Sequence, residues 1–263
     1  MQLLIRDRRE PARLEPRTLG QYVLASVAVL SILLQRFAGV PLFHVVGLFQ
    51  INAMIIPGVA LWILVARRPE PKGPSRDYWQ MAPILLAAVV LSAAQYVMVV
   101  HRPIDVFGLV LVAVGEECAF RLALTGLVLA LLARCGLNRR YAWWAASVVS
   151  SVVFAACHQQ VPYGFVGRCA IFGFGLMLCA IVWRTGRLLP AMAFHFVYDA
   201  TTLPLMMGVG STRFRFYIAS LAVIAMVWPY RQDARRYAAA LKAQALAAAT
   251  PPVLAEPVPV DAH

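Results

Sequence analysis

The chain has 263 residues, of which 61% are hydrophobic and only 14% charged, with a formal net charge of +12. Charged residues approach a quarter of an ordinary soluble domain, so this composition argues against one and points to a chain solvated by lipid. The basic excess reads as membrane topology plus attraction to anionic lipid, and nucleic-acid binding is not expected.

Apolar runs of membrane length recur along the chain, and eight spans are expected, near residues 22–40, 42–66, 79–100, 106–133, 141–160, 163–183, 188–206 and 213–230. The fold class is therefore all-α, a polytopic transmembrane helix bundle. Residues 1–21 form a basic N-terminal arm, 22–230 the transmembrane domain, and 231–263 an Ala- and then Pro-rich tail. The arm contains Asp7, Glu10 and Glu15, and no small-x-small site follows the first apolar run, so the first span is read as retained. Lys and Arg alternate between connections. Arg6, Arg8, Arg9, Arg13 and Arg17 precede span one; Arg67, Arg68, Lys72 and Arg76 follow span two; Arg134, Arg139 and Arg140 follow span four; Arg184 and Arg187 follow span six. With Arg231, Arg235, Arg236 and Lys242 in the tail, both termini are expected to be cytoplasmic. Pro57, Pro83 and Pro204 are expected to kink or end helices. Trp143, Trp144, Trp183, Trp228 and Tyr230 fit aromatic belts, and His44 and His101 read as interface residues. Cys118, Cys135, Cys157, Cys169 and Cys179 show no close Cys-x-x-Cys pair and read as small buried packing residues.

The fourth span carries an exception. Glu116, Glu117 and Arg121 lie within it, and three charges at a helix centre cost about 8–10 kcal/mol on insertion scales, more than its apolar residues return. They must be paired, face other polar helices, or work. The other ionisable groups at membrane depth are His158 at the end of the fifth span and His195 and Asp199 in the seventh. Residues four apart share a helix face, which sets Glu117 against Arg121, Phe154 against His158, and His195 against Asp199. Adjacent Glu116 and Glu117 diverge by about 100°, so one is assigned to Arg121 and the other to the histidines. Glu117 is taken as the paired one, and the reverse assignment stays open. His158 lies at the outer end of its span whereas Glu116 and His195 lie nearer the middle, so that helix is either longer than its span or tilted. Two histidines and carboxylates are the residue types that hold a zinc ion or activate a water directly, and peptide hydrolysis is the reaction they would serve.

Three motifs appear in order: Glu116-Glu117-Cys-Ala-Phe-Arg121, Phe154-Ala-Ala-Cys-His158 and His195-Phe-Val-Tyr-Asp199. In these, and in the lead-in Trp183-Arg-Thr-Gly-Arg-Leu-Leu-Pro190, the chain resembles the CAAX prenyl protease and bacteriocin-processing (CPBP) intramembrane proteases over roughly residues 80–206. The resemblance implies an intramembrane endopeptidase of membrane-associated or lipid-modified substrates. Glu116 would be the catalytic base, with Glu117, Arg121, His158, His195 and Asp199 completing the site. A zinc ion would draw on Glu116, His158, His195 and Asp199, and a metal-free glutamate mechanism is the alternative. Asp199 departs from the Asn of many members, which favours direct ligation or a charged partner for His195. The expected partners are membrane lipid and a peptide or lipidated protein, and the expected location is a bacterial inner membrane. A non-catalytic peptide-binding or immunity protein and a proton-coupled transporter are the other readings; a transporter should show internal repeats, and none is visible.

Overall fold

In a computed structural model, residues 15–38, 43–46, 49–52, 55–66, 76–158 and 164–206 are described, with positions 239, 242 and 243. The expected eighth span, 213–230, and nearly all of the tail lie outside the described residues. Helix α1 (Leu19–Ala38) leads to a hairpin of β1 (Phe43–Val46) and β2 (Phe49–Asn52), then α2 (Ile55–Ala66) and α3 (Arg76–Val100). One long helical element follows, made of α4 (Pro103–Glu116), a π-helical segment (Glu117–Leu124) and α5 (Thr125–Arg134). The last helices are α6 (Arg139–Cys157), α7 (Gly164–Thr185) and α8 (Leu189–Met206).

The helical-bundle expectation holds as architecture, and two spans are corrected. The single helix expected over 42–66 is instead an antiparallel hairpin, with Val46 opposite Phe49 and Phe43 opposite Asn52, followed by the twelve-residue α2. The physical reason is local: Phe43-His-Val-Val and Phe49-Gln-Ile-Asn are rich in aromatic and β-branched residues that favour strands. Pro57 then sits in the first turn of α2, where its missing N–H costs nothing. The fourth span is not a regular α-helix, since the π segment interrupts it. Pro83 and Pro204 lie inside α3 and α8 and end neither.

The α4–π–α5 element is the centre of the bundle, packed by α1, α2, α6 and α8. Small residues let the helices close on it, as is usual where lipid replaces water. A Cβ on Gly58 of α2 would lie 2.8 Å from the Cβ of Cys118, so α2 rides directly on the π segment. The polarity runs inside out. Leu86, Val90, Met98, Phe165 and Val166 are exposed, while Gln95, Asp105, Glu117, Arg121, Thr125, Ser147, Ser150, Ser151 and His195 are buried. A bundle in water would reverse this; a bundle in lipid requires it. Among the described residues, two helices, Ala82–Val100 and Gly164–Trp183, are long and apolar enough by themselves to cross a membrane. At one end, Glu15 of the arm pairs with Arg139 at 2.9 Å and Tyr22 lies against Arg134, so two of the basic connections share one end of the bundle.

Two smaller expectations change. Trp143 is fully buried against Trp183, with ring centroids 5.5 Å apart, so it packs the bundle and does not form a belt. Among the cysteines, Cys118, Cys157 and Cys179 are buried, but Cys135 and Cys169 are exposed.

Candidate active site

Four elements bring the site together: the end of α4, the π segment, the C-terminus of α6 and the middle of α8. Each contributes by its local sequence. Glu116 is the last residue of α4 and Glu117 the first of the π segment. π turns are frequent at functional sites, and they shift side chains off the α-helical register. Here the two adjacent carboxylates reach the two different nitrogens of one imidazole. His195 Nδ1 is 2.8 Å from Glu117 Oε1, and His195 Nε2 is 3.7 Å from Glu116 Oε2.

His158 resolves the depth question. Helix α6 stops at Cys157, and His158 follows as its cap, with φ −101° and ψ 53°. Its Nδ1 lies 2.7 Å from the Phe154 carbonyl oxygen, one of the acceptors left over at a helix end. The helix is therefore not longer than expected: the cap folds the ring back, and Nε2 comes 3.5 Å from Glu116 Oε2. Asp199 Oδ2 closes the group at 3.6 Å from His195 Nε2, one turn along α8.

The protonation pattern follows from the partners. A carbonyl oxygen can only accept, so His158 Nδ1 carries the proton it donates to Phe154. His195 Nδ1 likewise donates to the Glu117 carboxylate. With each Nδ1–H so engaged, Nε2 of each ring faces carboxylate oxygens, His158 toward Glu116 and His195 toward Glu116 and Asp199. Where the rings are neutral, acceptors face acceptors, and Glu116 Oε2 is buried with no hydrogen-bond partner among the described residues. Such a cluster is satisfied by a proton on Nε2, by a cation, or by a water that donates. No group of three or more His, Cys, Asp or Glu side chains among the described residues is closed tightly enough to hold an ion as it stands. The open separations of 3.5, 3.6 and 3.7 Å are nonetheless close to the edge of a zinc tetrahedron, about 3.4 Å for bonds of about 2.1 Å. Imidazole nitrogen and carboxylate oxygen are the donor types zinc takes, and these three separations are near those it needs.

Behind this cluster lies a dry layer. Glu117 is 0% exposed and Arg121 1%, with Arg121 Nε 3.4 Å from Glu117 Oε2. The guanidinium makes no hydrogen bond among the described residues, and it lies 4.1 Å over the Phe154 ring. A desolvated cation–π contact of this kind contributes about 2 kcal/mol. Phe154 and Phe174 wall His195, their ring centroids 5.9 and 5.4 Å from its own, both edge-on. The side chains of Glu116 (15% exposed), His158 (15%) and Asp199 (20%) are the more accessible members. All six residues picked out by the motifs are thus in one place. Sequence reasoning passed over Thr125 and Ser150, whose hydroxyls bind inside the helices, and Asp105, which it left just outside a span. The signal for the serines was there: Ser147, Ser150 and Ser151 recur at helical spacing in an otherwise apolar helix.

Residues 102–201 match the sequence model of the family described as type II CAAX prenyl endopeptidase Rce1-like. The match begins at the entry to α4 and ends within α8, so it contains every one of the six residues and omits α1–α3. No curated protein and no solved structure matches the chain significantly. Over residues 102–201, less than half of its length, the chain is similar to the Rce1-like family of type II CAAX prenyl endopeptidases.

Proposed function

We propose that the protein is an intramembrane endopeptidase that hydrolyses a peptide bond of a membrane-associated or lipid-modified substrate, with Glu116 as the base. The observation that carries this reading is the convergence of Glu116 Oε2 on Nε2 of both His158 and His195 at 3.5 and 3.7 Å. Glu116 takes a proton from the attacking water as its oxygen bonds to the carbonyl carbon. It then returns that proton to the departing amine as the C–N bond breaks, which leaves an acid and an amine. Glu117 holds His195 in the tautomer whose Nε2 faces the reacting centre, and Arg121 neutralises Glu117 without entering the site. His158, His195 and Asp199 would hold a zinc ion with a fourth position open to water beside Glu116, and when bound it would supply Lewis acidity and lower the pKa of that water toward neutrality.

The expected setting is a bacterial inner membrane with both termini cytoplasmic, and the pairing of Glu15 in the arm with Arg139 supports a shared side for the arm and the connection before α6. The test pairs metal analysis with turnover. Purified wild type should carry about one zinc per chain, lost in His158→Ala/His195→Ala, and should cleave a quenched-fluorescence peptide ending in an S-farnesyl cysteine and three residues. Glu116→Gln should reduce kcat by at least about a hundredfold, the usual scale of a lost general base, with the melting temperature unchanged. Wild-type cleavage unaffected by Glu116→Gln would sink the assignment.

A further inference from the structure

The junction between α-helical and π-helical backbone falls between Glu116 and Glu117, and the π segment closes at Leu124. Inside it one carbonyl oxygen, that of Phe120, receives three donors. They are the backbone N–H of Thr125 five residues on, the Thr125 hydroxyl at 2.8 Å and the Ser150 hydroxyl of α6 at 2.8 Å. Thr125 and Ser150 are both fully buried. Ser150, Phe154 and His158 are spaced four apart, so a single stripe of α6 meets the central helix at three successive points. Ser150 binds the Phe120 carbonyl, the Phe154 ring lies under the Arg121 guanidinium, and His158 faces Glu116.

We infer that Thr125 and Ser150 are positioning residues, a two-hydroxyl latch that holds the π register and thereby aims Glu116 and Glu117 at the two nitrogens of His195. A π turn takes one more residue than the α turn it replaces, which offsets what precedes it by about 100° around the helix axis. α5 is held against α6, so the offset appears at the α4 end, where the carboxylates are. The Phe120 carbonyl already accepts the Thr125 N–H of the π turn, and in lipid the two hydroxyls add donors that the α register would not use, favouring the π register. Without them the α register regains its advantage, and relaxation to it swings Glu116 and Glu117 off His195. This rests on the reading of Glu116 as the base, so the test has one readout that depends on turnover and one that does not.

The comparison is Ser150→Ala/Thr125→Val against Ser150→Ala/Thr125→Ser, two proteins that differ at position 125 in having lost or kept the hydroxyl. The first readout is kcat and KM on the farnesylated peptide. The second is the NMR resonance of the His195 Nδ1 proton in histidine-labelled protein in micelles, assigned by its loss in His195→Ala. The expected result for Ser150→Ala/Thr125→Val is a kcat at least tenfold below wild type, a KM within twofold, and an Nδ1 proton signal broadened or lost. Ser150→Ala/Thr125→Ser should recover both readouts most of the way. A kcat within threefold of wild type in Ser150→Ala/Thr125→Val overturns the inference, as does a lost kcat with the Nδ1 signal intact. If wild type cleaves nothing yet the signal responds to the hydroxyls as described, the latch stands and the peptidase reading falls. Should the double variants not accumulate, Ser150→Ala and Thr125→Val singly are judged by the same two readings.

Discussion

Glu116 and Glu117 are the same side chain at consecutive positions, yet the fold treats them oppositely. Glu117 is sealed in, with Oε1 on the His195 Nδ1 proton and Oε2 against Arg121. Glu116 keeps some exposure, and its Oε2 faces two imidazole nitrogens at distances too long for hydrogen bonds. The difference teaches that an intramembrane acid can be tolerated in two ways. One carboxylate is neutralised by a built-in partner and serves geometry; the other is left for a proton, a cation or a water.

The strongest way to break this comparison is to remove one member of the sealed pair. Glu117→Ala strands the buried Arg121 guanidinium and frees the His195 ring, and loss of one partner of a buried ion pair costs about 3–5 kcal/mol. Thermal unfolding in detergent should show it as a large fall in melting temperature, along with lost cleavage. Glu117→Leu/Arg121→Met replaces both charges by apolar groups of similar size, which is often neutral or stabilising by about 1–4 kcal/mol. Its melting temperature should return to or exceed that of wild type while cleavage stays lost, because His195 has no acceptor for its Nδ1 proton. A double variant that regained cleavage would show that Glu117 serves stability alone.

A middle-sized effect tests whether the π segment needs its packing as well as its hydroxyls. Gly58→Ala would place a Cβ 2.8 Å from the Cβ of Cys118, beside a main-chain atom at 3.7 Å that cannot give way as a flexible chain end would. Overpacking of this kind costs about 1–3 kcal/mol. The expected outcome is a lower melting temperature and a lower kcat together, since α2 presses on the segment that aims the carboxylates. Gly58→Ala/Cys118→Gly, which removes the opposing Cβ, should recover both.

Most of this organisation was legible in the sequence, and the reasons are physical. Charges that lipid penalises stand out against an apolar background, so Glu116, Glu117, Arg121, His195 and Asp199 could be named from their depth alone, and helical spacing set Glu117 against Arg121. Length and hydropathy likewise gave α1, α3 and α6–α8 to within a few residues. What stayed hidden was what hydropathy does not encode. The stretch 43–52 is as apolar as a span, and only its β-branched and aromatic pattern hinted at a hairpin. The π segment left no mark on hydrophobic periodicity, because its cause is a pair of hydroxyls, one of them on another helix. The fold-back of His158 is a helix-end event, and it depends on a carbonyl that no side-chain pattern reveals.

The smallest prediction carries the same contrast to a residue outside the motifs. Gln95 of α3 is 4% exposed, and neither Nε2 nor Oε1 has a hydrogen-bond partner among the described residues. Ser150 and Thr125 are equally buried but spend their hydroxyls on the Phe120 carbonyl, so polar groups in this bundle divide into those that hold something and those that cost stability. An unsatisfied buried polar group costs about 1–3 kcal/mol, and an apolar replacement of similar shape removes that cost. Gln95→Leu should therefore raise the melting temperature by a few degrees, at about 2–4 °C per kcal/mol for a chain of this size, whereas Ser150→Ala should lower it. A fall in Gln95→Leu would mean that the amide, like Glu117, is held by a partner, and would move Gln95 to the sealed side of the comparison.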